Sequence, residues 1–434
     1  MIASITVFVI CYILIASEKV DKSIVALLGA ATVIILHKVP YEKALEMVDL
    51  NVVFLLMGMM MIVTILSRTG LFEWVAVSLA RKANGNAIVI TMILLLVTAV
   101  FSAFLDNVTT IILIAPVTIL LTQILEIPTV PILIMEAVFS NIGGTATLVG
   151  DPPNILIGSK TDLTFNEFLL NLGPVVLVIM AVGIVITYFT LRRSTVATSA
   201  ARKRIEKAQP NLAIIEPRVL KRALPIFGLV IVGFFAGHAI GVEPGIVALA
   251  GGVGMTLVGS SSLHDVMQKV EWGTILFFIG LFMLVGALEY NGVFDKLGHF
   301  MLQLTQDDLF LTAILILWTS AIISALVDNI PLVIAMIPLV QSTIPKFAES
   351  MGIVGSPELI DMQIQAPLFW ALALGACLGG NGSLIGASAN VVVSQVAKRN
   401  YYDLTFWRFT KYGFPIMAVS LIISSFYLYF RYFM

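Results

Sequence analysis

Charge is what this sequence has least of. Only 12% of its 434 residues are Asp, Glu, Lys or Arg, against 59% hydrophobic, where a soluble chain carries about 25% charged and about 45–50% apolar residues. So little charge cannot cover a water-facing surface, which excludes an ordinary soluble enzyme, a disordered chain and a nucleic-acid binder. A mean hydropathy of +1.02 says that lipid solvates most of the chain. Net charge is also missing: 25 Lys and Arg offset 26 Asp and Glu, so no overall field recruits a polyanionic partner. Cysteine is scarce. Cys11 and Cys377 both sit in apolar runs and read as packing residues, not a disulfide or metal site. Strand-like alternation is absent, so the apolar runs are helices. Residues 1–16 lack a basic leader and a small-residue cleavage site and read as a first membrane helix, not a signal peptide.

What is present is a series of apolar runs: 2–16, 23–39, 51–67, 86–105, 108–125, 130–160 (interrupted), 168–191, 223–239, 244–259, 272–288, 309–327, 329–345, 366–398 (interrupted) and 406–430. Each meets or nearly meets about 30 Å of hydrocarbon at about 1.5 Å per residue. Between Arg192 and Arg222 lie nine basic and two acidic side chains, a net +7 against −8 for the rest. A basic segment between two apolar halves reads as a cytoplasmic linker. The expected organisation is a first repeat over 1–191, a linker over 192–222 and a second repeat over 223–434.

The two halves superpose in register. A shift of 222 residues brings Gly58 onto Gly280, Gly70-Leu-Phe-Glu onto Gly292-Val-Phe-Asp, and Ser102-Ala-Phe-Leu-Asp-Asn onto Ser324-Ala-Leu-Val-Asp-Asn. After a 14-residue insertion the shift becomes 236, and Gly143-Gly-Thr-Ala-Thr-Leu-Val-Gly meets Gly379-Gly-Asn-Gly-Ser-Leu-Ile-Gly. One register held this long implies duplication. If the two runs flanking Asp106-Asn107 form one re-entrant hairpin, each half crosses the bilayer five times. An odd count inverts the second copy, the plan of many secondary transporters. With the linker inside, 19 basic residues fall on the inner side and 6 on the outer, as the positive-inside rule asks; both termini then lie outside.

Four interruptions carry the polar residues. Asp106, Asn107, Thr109 and Thr110 form the first; Asn141, Gly143, Gly144, Thr145, Thr147, Asp151 and Asn154 belong to the second. Asp328 and Asn329 form the third, and Asn381, Ser383, Ser388 and Asn390 the fourth. A mid-membrane carboxylate costs about 2.5–3.5 kcal/mol on the insertion scale, and Gly-Gly and Pro-Pro pairs release backbone groups that lipid cannot satisfy. Such backbone survives inside protein or beside a wet cavity. There carbonyls bind cations, and half-helix N-termini offer N–H groups to anions. Each feature also has a purely structural reading: Asp-Asn as a helix N-cap, Gly143-Gly144 as close helix packing, Pro152-Pro153 as a kink. Their pairing across the halves favours a binding site, and the readings are compatible. Glu136 reads as either a salt-linked helix residue or a proton carrier. His37, His238, His264 and His299 lie at segment ends and read as interfacial. The Met57–Met61 cluster reads as packing, since a copper path would need spaced thioethers and histidines.

Ser102-Ala-Phe-Leu-Asp-Asn-Val-Thr-Thr110, Asn141-Ile-Gly-Gly-Thr-Ala-Thr-Leu-Val-Gly-Asp-Pro-Pro-Asn154 and Leu374-Gly-Ala-Cys-Leu-Gly-Gly-Asn-Gly-Ser-Leu-Ile-Gly-Ala-Ser-Ala-Asn-Val391 resemble the signatures of the ArsB/NhaD permeases of the ion transporter superfamily, most nearly their melanosomal P protein branch. The resemblance implies a homodimer in which a scaffold domain holds a mobile transport domain of two re-entrant hairpins and two broken helices, working as an elevator. Where the superfamily's sodium/dicarboxylate symporters carry Ser-Asn-Thr at the hairpin tips, this chain has Asp106-Asn107 and Asp328-Asn329.

The expected fold is therefore an all-α polytopic membrane protein with an inverted repeat. The expected function is secondary transport, in the cell membrane, of a small anion or weak acid. Asp106 and Asp328 would carry H⁺ or Na⁺, with Asn107 and Asn329 as further Na⁺ ligands and no other cofactor. The alternative on the same scaffold is a Na⁺/H⁺ antiporter. An intramembrane aspartyl protease is disfavoured because Leu148-Val-Gly-Asp151 fails the Gly-x-Gly-Asp pattern, and a pump because no phosphate-binding Gly-x-x-x-x-Gly-Lys-Ser/Thr loop occurs.

Overall fold

The computed structural model describes residues 1–17, 19–161 and 163–434. All regular structure among them is helical. The principal helices of the first half are α1 (Ile2–Ala16), α2 (Lys22–Ile35), α3 (Leu50–Arg68), α4 (Ala87–Phe104), α5 (Asn107–Leu125), α6 (Thr129–Gly144), α7 (Pro152–Thr161) and α8 (Phe165–Leu191). Those of the second half are α9 (Pro217–Ala236), α10 (Pro244–Val258), α11 (Trp272–Tyr290), α12 (Leu309–Leu326), α13 (Asn329–Gln341), α14 (Ala366–Gly379), α15 (Ser388–Arg399) and α16 (Phe406–Leu428). Ten helices among the described residues are long and apolar enough to cross a membrane, which makes this a multi-pass membrane protein.

The helices start where side chains can cap them. Asp21, Asp49, Asp106, Asp308 and Asp328 each accept a backbone N–H from the first turn of the helix they precede, as a good N-cap does. The helix breaks fall at the expected motifs. Between α6 and α7 the chain is non-helical over 145–151, and between α14 and α15 a short 3₁₀ turn, Gly380–Gly382, is followed by turns and bends over 383–387.

Contacts recur at the positions that the 222- and 236-residue shifts relate. Gly58 of α3 meets α10 so closely that a Cβ would lie 2.3 Å from the Ala248 carbonyl carbon, and one on Gly280 of α11 would lie 2.7 Å from that of Ala26 on α2. Ser102 Oγ donates to Ser140 O, and Ser324 Oγ to Ala376 O, both at 2.7 Å. Thr147 Oγ1 donates to Ala103 O as Ser383 Oγ does to Ala325 O. Pairs α3–α10 and α2–α11 pack most extensively in one set of helices; in the other, α4 packs on α6 and α12 on α14. Close approach at small residues is how helices associate where lipid offers no hydrophobic drive.

Three local readings change. Helix α9 begins at Pro217, six residues before the apolar run, because Arg218, Lys221 and Arg222 ride on its first turns; long basic side chains can reach the interface from a helix end. The linker carries a helix of its own, Ser199–Glu206, and its Arg204 pairs with Glu126 at 3.1 Å. His299 lies not at a segment end but on the exposed face of an amphipathic helix, Val293–Thr305, whose polar side hid it from the search for apolar runs.

Candidate substrate and ion site

Six helices begin at the wall of one cavity of about 410 Å³. Its polar lining includes Asp21 and Lys22 from the start of α2, Asp106 and Asn107 from α5, and Asp151 before α7. Glu271 and Thr274 come from α11, Asp328 and Asn329 from α13, and Ser388 from α15. The three mid-chain aspartates thus share one cavity, and of the expected site residues Asp106, Asn107, Asp151, Asp328, Asn329 and Ser388 line it.

The two hairpin tips are held differently. Asp106 Oδ1 accepts from Thr109 N at 2.8 Å, and Thr109 Oγ1 donates to Asp106 Oδ2. Asp328 Oδ1 accepts a longer bond from Ile330 N, 3.3 Å, while its Oδ2 takes Lys22 Nζ at 2.9 Å and Ser388 Oγ at 2.8 Å. Asn329 Nδ2 donates to Asp151 Oδ1 at 3.3 Å, and the Cys377 thiol lies beside the same carboxylate. The N–H groups of Ile24 and Ser23 hold the Asp21 carboxyl below the usual carboxylate range.

Behind the cavity runs an amide chain. Asn107 Nδ2 donates to Asn141 Oδ1 at 3.1 Å, and Asn141 Nδ2 donates to Asn381 Oδ1 at 2.9 Å and Asn390 Oδ1 at 3.0 Å. Asn390 Nδ2 reaches the Gly380 and Ser383 carbonyls, and Asn154 Nδ2 those of Thr145 and Thr147. These amides bind the loose backbone of both breaks. Asn107 lines the cavity, is 2% exposed, and its Oδ1 has no hydrogen-bond partner among the described residues; such an oxygen is suited to a cation.

Other expected residues serve packing. A Cβ on Gly143 would lie 2.1 Å from Ala99 O, and one on Gly144 2.4 Å from Gly150 O. Thr145 donates to Asn141 O, and Thr110 is wholly buried. Glu136 is not salt-linked. Its Oε1 accepts from Thr118 at 2.7 Å and Thr98 at 3.3 Å, and Oε2 has no hydrogen-bond partner among the described residues. Cys11 and Cys377 are buried and unlinked. Met59 and Met61 are buried, and Met60 lines the cavity.

Sequence reasoning missed Lys22 and Glu271. In the sequence Lys22 reads as one of the 19 inner-side basic residues of the loops, yet it lines the cavity. Glu271 had a readable signal: the 222-residue shift places it on Asp49, so each half opens its third helix with an acid. Among the described residues no group of three His, Cys, Asp or Glu side chains could hold a metal ion, so a Na⁺ bound at one carboxylate would also draw on amide, hydroxyl and carbonyl oxygens.

The citrate transporter family, CitMHS, matches residues 12–362. An uncharacterized transporter of Mycobacterium tuberculosis is 41% identical over 437 residues, covering 100% of this chain and 99% of that protein. The P protein of Homo sapiens is 32% identical over 502 residues; the match covers 96% of this chain and 58% of the P protein's length. The fold is similar to that of the YdaH transporter of Alcanivorax borkumensis, with a TM-score of 0.61 and 14% identity over 89% of this chain and 86% of that one. It is also similar to MtrF of Neisseria gonorrhoeae, at 0.57 and 11% over 93% and 85%. The P protein is thus among the relatives, as the motifs implied, beside bacterial transporters that are more similar. This chain is a membrane transporter and not an enzyme, and it belongs to the citrate transporter family, CitMHS.

Proposed function

We propose that the chain is a secondary active transporter that moves a small anion or weak acid, a carboxylate first among them given the family's name, together with H⁺ or Na⁺. One observation carries the reading: six helix N-termini and charges of both signs meet at a single cavity. Helix starts and Lys22 favour an anion. Asp106, Asp151 and Asp328 together favour accompanying cations, because carboxylates sharing a low-dielectric site repel one another unless neutralised. Asp106 with Asn107 and Asp328 with Asn329 are the seats for H⁺ or Na⁺.

The finer architecture follows the same reading. The halves form an inverted repeat; α4–α5 and α12–α13 are re-entrant hairpins, and α6–α7 and α14–α15 are broken helices. Helices α1–α3 and α9–α11 form the scaffold and dimer side, and the remainder moves as an elevator. An adjoining vestibule shares Met60 and Glu271 with the cavity and is lined by Arg68, which pairs with Glu216 of the basic linker at 3.2 Å. With the linker in the cytoplasm and both termini outside, the cavity faces inward.

The alternative, a Na⁺/H⁺ antiporter, draws support from the lining itself: Asp21, Asp106, Asp151, Glu271 and Asp328 face a single lysine. Proteoliposomes separate the two. Radiolabelled citrate should enter when an inward proton or Na⁺ gradient is imposed. Na⁺-driven proton movement with no anion present, and no citrate flux under either gradient, would establish the antiporter instead.

A further inference from the structure

Resting on that reading, we propose that Lys22 is the cation that receives the transported anion, and that Asp328 withholds it until H⁺ or Na⁺ neutralises Asp328. Lys22 is the sole basic side chain among the cavity's described lining residues, so an anion entering there has one full positive charge available. That charge is engaged. Lys22 Nζ lies 2.9 Å from Asp328 Oδ2 and 3.2 Å from Ser388 Oγ, and its ammonium stands over the Phe277 ring at 5.0 Å from the centroid.

The contacts form a switch because one oxygen serves two donors. Asp328 Oδ2 accepts from both Lys22 and Ser388. A proton or Na⁺ on that carboxylate removes the acceptor from both. Phe277 belongs to the scaffold helix α11 and can keep the ammonium at the wall, since a ring face attracts a cation without a carboxylate. Ser388 then turns its hydroxyl to the cavity. It opens α15, whose N-cap residue is Ala387 and supplies no side-chain cap. At the related position of the first half stands Asp151, directly before Pro152. The second half therefore offers an uncapped helix start, a hydroxyl and an ammonium where the first half offers an acid. The anion seat lies at Lys22 and Ser388, and the cation seats at the aspartates. Other charged or titratable groups facing the pair are Tyr12 from α1, Asp21, Asp106, Asp151 and Glu271; all are acids, so none substitutes for Lys22.

Linkage makes the arrangement testable, because a cation that promotes anion binding must itself bind more tightly once the anion is present. Citrate is the probe, and its affinity for the purified full chain is measured by calorimetry at two pH values, with and without Na⁺. The wild type should bind citrate at least tenfold more tightly at the lower pH or with Na⁺. Lys22→Gln should weaken citrate binding at least tenfold at the lower pH or with Na⁺, where the wild type has its lysine available, yet keep the thermal shift produced by H⁺ or Na⁺, and Lys22→Arg should restore part of the affinity. Asp328→Asn should bind citrate with an affinity that pH and Na⁺ change at least fivefold less than in the wild type, because the Lys22–Asp328 contact is already broken. A merely structural ion pair would instead make both variants lose stability and leave cation dependence of binding in each. Citrate binding by Lys22→Gln equal to the wild type overturns the assignment of Lys22 and leaves the transport reading standing. A wild type whose citrate binding ignores both cations, or is absent, overturns both.

Discussion

The hairpin tips share the dipeptide Asp-Asn, yet Asp106 is spent on its own helix while Asp328 reaches across to Lys22. The residue three places after each aspartate explains the difference. In the first half it is Thr109, which gives Asp106 both a backbone N–H and a hydroxyl. In the second half the related residue is Pro331, which has neither donor. Asp328 is left with the weaker Ile330 bond, and its second oxygen is available to a cation from another helix. Two tips with the same dipeptide thus hold their acids differently through one residue outside the acids themselves.

The sharpest way to break the comparison is to neutralise the first tip. Asp106→Asn retains an N-cap of comparable quality, so the fold should survive. Transport should lose the part of its pH dependence that Asp106 carries and fall about tenfold or more, since a charge-linked interaction in a partly buried site is worth about 1.5–3 kcal/mol. The measurement is citrate uptake into proteoliposomes across a pH series; an unchanged pH profile would remove Asp106 from the coupling role.

Much of this was legible before any coordinates. The helices, the four breaks and the register between the halves all follow from apolar run lengths and from Gly, Pro and Asp-Asn punctuation, because lipid forces every backbone group to be satisfied within a helix or at a marked exception. Gly58 and Gly280 stand out in the sequence, and each meets the alanine that the same shift relates. What could not be read was Lys22. An ion pair between residues 306 positions apart leaves no local pattern, and a lysine at the start of an apolar run looks like any loop cation. The helix Val293–Thr305 escaped because it is amphipathic, and Glu136 gave no hint that two threonines rather than a cation would hold it.

Exchange at the third helical position sharpens the comparison with a smaller effect. Pro331→Thr gives Asp328 the local donors that Asp106 enjoys. A side-chain cap is worth about 1 kcal/mol, so competition from it should loosen Lys22 and reduce the cation dependence of citrate binding by about fivefold. Calorimetry at paired Na⁺ concentrations reads this directly. Unaltered dependence would mean that the backbone of the second tip, not its capping chemistry, directs Asp328 toward Lys22.

The smallest effect is expected where the halves differ most in polarity. Glu136 on α6, held by Thr98 and Thr118, corresponds by the two shifts to Leu372 on α14, with Ser320 and Val340 in place of the threonines. The second half packs the same crossing without a carboxylate: Leu372 is wholly buried there. A charge at this position is therefore not a requirement of the helix pair. Glu136→Gln keeps an acceptor for both hydroxyls and removes only the ionisable proton. Its stability should change by less than about 1 kcal/mol, the scale of one neutral hydrogen bond, and uptake should keep its rate and pH profile. If the profile flattens while the thermal midpoint holds, the first half carries a second proton site that its partner lacks, and the asymmetry between the halves extends from the hairpin tips into the helices behind them.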